Sequence, residues 1–251
     1  LTREIAAEAG LAVDEAAFHI EMTKQRERAR AERLAKDISG WSADLFGELT
    51  ADATQFDGYE TLSEKAKVLA LSDGEELVDA IATDEAGEAK DGVLVVLDRT
   101  PFYAEMGGQV ADHGYLVNGD AKLKVTQVKK TPKGYFVHTC ELLDGTIHGG
   151  DEVTASVDEK RRAAICRNHT ATHLLQKALR EVLGEHVHQA GSYQDDRITH
   201  FDFTHFSAVS PAELAEVERR VNEKIYEALP VTVKNLPIEE AKKMGAMALF
   251  G

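Results

Sequence analysis

The chain has 251 residues, of which 43% are hydrophobic and 29% charged, with a net charge of −15. That suits a soluble protein of one large or two modest domains, and no run approaches the ~20 apolar residues of a membrane span. Two cysteines, Cys140 and Cys166, cannot form a disulfide framework and point to a reducing, cytoplasmic compartment. The chain opens on Leu1 with no basic stretch leading into an apolar block, so no signal peptide is read. It is expected to be a piece of a longer cytosolic protein.

The first stretch reads as a helix. Asp14 can cap it, and EAAFHIEMTKQRERARAERLAK continues without Gly or Pro. Between about 51 and 155 the texture becomes β-rich, with the runs KVLALS, GVLVVLD, GYLVNG, AKLKVTQV, GYFVHTCEL and DEVTASV. Turns are expected at Ser72-Asp73-Gly74, Asn118-Gly119-Asp120, Pro132-Lys133-Gly134 and Asp144-Gly145. Short strands at this spacing predict a small barrel or sandwich. After Asp158 a helical period returns through EKRRAAICRNHTATHLLQKALREVLG, with Gly184 as its stop. Two candidate strands follow, HVHQAGSY and ITHFDFTHF. A helix capped by Ser210-Pro211, the strand-like VTVKNLP and a short helix IEEAKKMG close the chain. Mixed helices and strands predict an α+β core.

Charge is uneven along the chain. Residues 51–100 carry 13 acids and 4 bases, whereas 24–36 and 158–180 each carry 6 bases and 2 acids. The acidic total weighs against a nucleic-acid partner, but local patches decide docking. Lys160, Arg161, Arg162 and Arg167 form the second basic patch.

The densest local signal is Asn168-His169-Thr170-Ala171-Thr172-His173. His169 and His173 are one helical turn apart and share a face, directed away from the Leu174/Leu175/Ala178/Val182 stripe. Such a pair can bind one Zn²⁺, although alone it is a weak motif and equally describes two surface histidines. It is not His-Glu-x-x-His, so the metalloprotease arrangement is not supported. Cys166 lies on the same face but too far along the helix to join His173 easily. His186, His188, His200 and His205 each read as a surface or interface histidine rather than a ligand. Gly107-Gly108 allows positive φ or close backbone approach, and no P-loop is present, so nothing points to ATP chemistry here.

RRAAICRNHTATHLLQKALREVLGEHVHQAGS, then THFDF, then GAMALFG resemble the editing domain of the alanyl-tRNA synthetases. DRTPFYAEMGGQVADHG resembles the glycine-rich segment of the β-barrel beside that domain. The first thirty residues are similar to the chain leaving the tRNA-recognition region. Met106 and His200 depart from the usual serine and arginine. The resemblance implies a ligase, ATP-dependent in its other parts, whose editing site hydrolyses tRNA(Ala) mischarged with serine or glycine, as free-standing AlaX-type proteins do. It implies that His169 and His173 are two of four zinc ligands, the others belonging to a Cys-x-x-x-His motif that this sequence lacks, so this piece alone is expected to bind zinc weakly or not at all and not to edit. It implies that Thr172 reads the serine hydroxyl and that Gln189 lines the same pocket.

The resulting expectation is an α+β chain in three parts: a helical segment at 1–50 from the end of the tRNA-recognition region, a β-barrel at 51–155 and an editing core at 156–251. Its partners would be the 3′ end of tRNA(Ala), met by Lys160, Arg161, Arg162, Arg167, Gly107 and Gly108, and the rest of a synthetase chain, with no membrane. The competing expectation is a tRNA-docking or structural module without catalysis.

Overall fold

The structure is a computed structural model. It describes residues 10, 17–18, 22, 24–25, 45–83, 88–232, 234 and 236–245. The chain divides into two compact units, 1–50 and 51–251. In the first, Ala17, Phe18, Met22, Lys24 and Gln25 are helical, while the rest of the helix expected from Asp14 lies outside the described residues.

The second unit is α+β. Its strands are β1 (Gln55–Phe56), β2 (Ser63–Ser72), β3 (Leu77–Val78), β4 (Ala80–Ala82), β5 (Lys90–Leu97) and β6 (Arg99–Thr100). They continue with β7 (Gly114–Val117), β8 (Ala121–Lys130), β9 (Phe136–His148), β10 (Glu152–Val157), β11 (Gln189–Gln194) and β12 (Thr199–Phe203). The helices are α1 (Glu159–Leu183), α2 (Pro211–Tyr226) and α3 (Ile238–Lys243).

Six strands close a barrel. β2 pairs with β5, β5 with β9, β9 with β8, β8 with β7, β7 with β10, and β10 returns to β2, every pairing antiparallel. The alternation that predicted strands is visible in β8, where Ala121, Leu123 and Val125 face inward and Lys122, Lys124 and Thr126 outward. The core they fill includes Val93, Val95, Leu97, Phe102, Leu116, Val128 and Leu142. Closure removes the exposed edges of the ring. Two sequence expectations fail. Asp144-Gly145 does not end a strand: Gly145 takes φ +80° inside β9, which runs on to pair with β4. A positive-φ glycine can kink a long strand as well as end it. The described residues of VTVKNLP are not in a strand. No neighbouring edge among the described residues pairs with them, and an isolated extended run has no ladder to join.

Asp158 caps α1, its carboxylate accepting from the Arg161 amide at 3.0 Å. α1 runs until Gly184, as the sequence predicts. α2 starts with a full capping box between Ser210 and Glu213. Ala178, Leu179, Val187 and Val217 make a second, smaller core where α1, α2 and the β11–β12 hairpin meet.

Arg162, in the first turns of α1, fastens that helix to the barrel. Its Nε donates to both Asp112 carboxylate oxygens at 2.9 Å, and Nη2 also donates to Asp112. Nη1 donates to the Gly58 carbonyl at 2.7 Å and Nη2 to the Pro101 carbonyl at 2.9 Å. Asp112 additionally accepts from the Tyr103 amide at 2.7 Å. Both charged groups are buried. Arg162→Met should therefore cost about 3–5 kcal/mol in urea unfolding, because it strands the Asp112 carboxylate. Lys160→Met, two residues earlier and exposed, should stay within about 0.5 kcal/mol.

A second prediction concerns pH. His138, wholly buried in β9, donates from Nδ1 to the Val95 carbonyl at 3.0 Å, and its Nε2 meets the Thr100 hydroxyl at 2.8 Å. Burial pushes its imidazole from 6.5 down to about 4. Between those values the unfolded chain binds the extra proton, so stability falls as pH drops from about 6.5 to 4, by about 3 kcal/mol. Glu64 acts with the opposite sign. Burial, with the nearby Asp57 carboxylate, pushes its carboxyl up to about 7, so its contribution falls as pH rises from 4.5. Urea titrations at several pH values should show acid lability, steeper in Glu64→Gln than in the wild type.

Candidate functional site

The candidate site lies where α1, the β11–β12 hairpin and the loop before β7 converge. The helix supplies His169 and His173. Their rings stack with centroids 5.3 Å apart and planes inclined by 12°, which is what two residues one turn apart on a regular helix produce. His173 is exposed and His169 half-buried. Burial, then the neighbouring His173, lowers the His169 imidazole below its usual value, so the His169 ring is available as a neutral nitrogen donor near pH 7.

The loop enters through Gly107-Gly108. Met106 and Gln109 exchange both backbone hydrogen bonds, at 3.1 and 3.2 Å. The two glycines between them take φ +63° and +82°, as a tight I′-type turn requires. The loop then joins β11: Val110 donates to the Gln194 carbonyl at 3.1 Å and Gln194 to the Gly108 carbonyl at 2.8 Å. A side chain on Gly108 would meet the Ser192 carbonyl at 2.6 Å. Both glycines thus serve the positive-φ turn, and Gly108 also the close approach to Ser192. The loop delivers the buried Gln109 to His169, with Gln109 Oε1 2.7 Å from His169 Nδ1.

Threonines form the third wall. Thr172 is buried and donates its hydroxyl to the Asn168 carbonyl at 2.9 Å. Thr199 on β12 donates to the same carbonyl at 3.0 Å, and the two hydroxyl oxygens lie 3.2 Å apart. Asn168 itself donates to the Asp195 carbonyl at 2.8 Å, anchoring the hairpin turn. Gln189 donates to Ser192 Oγ at 3.0 Å.

The basic patch separates into two kinds of residue. Arg162 is buried in its ion pair with Asp112. Arg161 donates to the Ala111 carbonyl at 2.7 Å and lies 3.4 Å from Asp196, half-buried. Lys160, Arg167 and Cys166 are exposed. No group of three or more His, Cys, Asp or Glu able to hold a metal occurs among the described residues.

Sequence reasoning named the histidines, Thr172, Gln189 and the glycine pair. It missed Gln109 and Thr199, and named Asn168 only as part of the histidine run, without a role. Gln109 directly follows the glycines, and that adjacency was the available signal. It also read His186 and His205 as separate surface residues, whereas their Nε2 and Nδ1 lie 2.9 Å apart with the rings stacked.

The family described as tRNA synthetases class II (A) matches residues 1–161. Curated relatives match the whole chain. The alanine–tRNA ligase of Acetivibrio thermocellus is 48% identical over 252 residues. That of Bacillus mycoides is 46% identical over 251 residues, and that of Thermoanaerobacter pseudethanolicus 48% over 250. The chain spans 28% of the length of these relatives.

The glycine turn yields a graded expectation. Gly107→Ala meets nothing within 4 Å and bears only the left-handed backbone cost of about 1–2 kcal/mol. Gly108→Ala bears that cost and must also push the loop away from Ser192. Calorimetry should find the larger Tm drop for Gly108→Ala; equal drops would mean the approach to β11 does not hold the loop.

Proposed function

The chain belongs to the tRNA synthetases class II (A) family, and on that premise we propose that it is the editing region of an alanine–tRNA ligase, hydrolysing the ester of Ser-tRNA(Ala) and Gly-tRNA(Ala). The supporting observation is the stacked His169/His173 pair on the same helix as Thr172, whose hydroxyl shares the Asn168 carbonyl with that of Thr199. The need for such a site is physical. A pocket shaped for alanine cannot strongly exclude the smaller glycine or an analogue that adds only a hydroxyl.

The pair fits a zinc ion as half of a ligand set: two imidazoles one turn apart, with one ring held by Gln109. Zn²⁺ bound there would supply Lewis acidity toward the ester carbonyl. The chain's own residues do the rest. The Thr172 proton goes to the Asn168 carbonyl, so the Thr172 oxygen is left to accept. A seryl side chain can donate to it and a glycyl residue cannot. Gln189, on the same hairpin, would close the pocket. Lys160 and Arg167, the exposed members of the basic patch, would meet the 3′ end of tRNA, while Arg161 and Arg162 hold the helix that presents the site.

A second reading is a tRNA-docking module without catalysis. It is favoured by the fact that only two metal donors converge among the described residues.

Thr172→Val in the full-length protein separates the readings. Deacylation of Ser-tRNA(Ala) should slow, its activation free energy rising by about 1–3 kcal/mol, and that of Gly-tRNA(Ala) should slow clearly less. Equal losses would refute the hydroxyl-reading role. No deacylation of either substrate by the wild type would leave the docking module.

A further inference from the structure

We propose that Gln109 is a positioning residue: it holds His169 as the Nδ1–H tautomer and turns the bare Nε2 lone pair toward a divalent metal ion shared with His173. This rests on reading the histidine pair as half of a metal site.

A carboxamide oxygen has no proton to give. With Gln109 Oε1 2.7 Å from Nδ1, the proton between them belongs to the ring. A neutral imidazole carries one N–H, so Nε2 is left unprotonated, and that is the form that binds a metal. A histidine in water favours the opposite, Nε2–H form, so the tautomer here is imposed by its neighbour. Metal-binding histidines usually donate their second nitrogen to a carboxylate, a carbonyl or water, which fixes the ring.

Gln109 is placed to impose it. It is buried. Its backbone exchanges two hydrogen bonds with Met106, and the residue lies in a parallel bridge with Gln194. The bonds of Val110 and Gly108 to Gln194 hold the positions on either side. The carboxamide therefore reaches His169 from a segment fastened at three points, across 60 residues of sequence. An amide also fixes the ring without adding charge.

The test is long-range proton–nitrogen NMR of the 251-residue chain at pH 8, reading both ring nitrogens of His169 in the wild type, Gln109→Met and Gln109→Glu. The Nδ1–H form is expected in the wild type and in Gln109→Glu, which keeps an acceptor oxygen. Gln109→Met should revert to Nε2–H. Amide signals of Val110 and Gln194 report whether the loop stays docked; if Gln109→Met undocks it, the wild-type tautomer decides. Zn²⁺ titration of the same proteins should show binding weaker by about 10–100-fold in Gln109→Met, largely restored in Gln109→Glu. An Nε2–H wild type overturns the proposal, as does Gln109→Met that keeps Nδ1–H with its loop docked, or equal Zn²⁺ affinity in all three. A wild type that shows Nδ1–H but binds no Zn²⁺ removes the metal reading alone and leaves Gln109 as the residue that sets the tautomer.

Discussion

The buried pairing of Arg162 with Asp112 is the constraint on which the arrangement of the second unit depends. Taking two charges out of water is unfavourable, and a buried pair is retained only when its remaining donors and acceptors are also satisfied. Here they are. The guanidinium reaches two backbone carbonyls, at Gly58 and Pro101, besides the carboxylate, and the carboxylate takes a further amide from Tyr103. These partners come from two segments, the turn at Gly58 and the connection between β6 and β7. One side chain thus fixes both the rotation of α1 about its axis and the depth at which it seats. Given that fix, His169 and His173 can point only one way.

The same constraint explains why the glycine loop matters. Asp112 lies at the end of the loop that begins with Gly107-Gly108, and Arg161 binds the Ala111 carbonyl in between. The loop is held at one end by α1 and at the other by β11, and Gln109 sits between the two anchors. Helix, loop and hairpin form one hydrogen-bonded ring around the histidines. Its links are of three kinds: side chain to backbone from Arg161 to Ala111 and from Asn168 to Asp195, side chain to side chain between Gln109 and His169, and backbone to backbone between the loop and Gln194. No single element could hold the site alone.

What was readable in the sequence follows this division between local and distant causes. Strands β8 and β10 show in their alternation, β2, β5 and β7 in short apolar runs, and α1 in its period, its Asp158 cap and its Gly184 stop. These depend on neighbours in sequence. The exchange of roles within the basic patch was not readable. Arg161, Arg162 and Arg167 look alike in a string, and only the fold decides that Arg162 meets Asp112, 50 residues away, while Arg167 meets solvent. Gln109 was hidden for the same reason, its partner being 60 residues on. Asp144-Gly145 misled because a glycine with positive φ serves a kink as well as a turn, and the choice depends on whether β4 is there to pair with the far half of β9.

Chain order has a consequence for how the second unit assembles. The barrel is sealed when β10 pairs with β2, joining Glu152 to Lys67 and Ser156 to Ser63. The sealing strand ends at Val157, Asp158 caps α1, and the helix begins at Glu159. The Asp158 amide also binds the His113 carbonyl at 2.8 Å. On a chain emerging from its N-terminus, every residue of the barrel precedes the first turn of α1. The cradle for Arg162, made from Gly58, Pro101 and Asp112, is then complete before the guanidinium arrives. The helix is received by a finished seat, and the long loop closures that slow β-rich folding lie behind it when the histidines are brought to the loop.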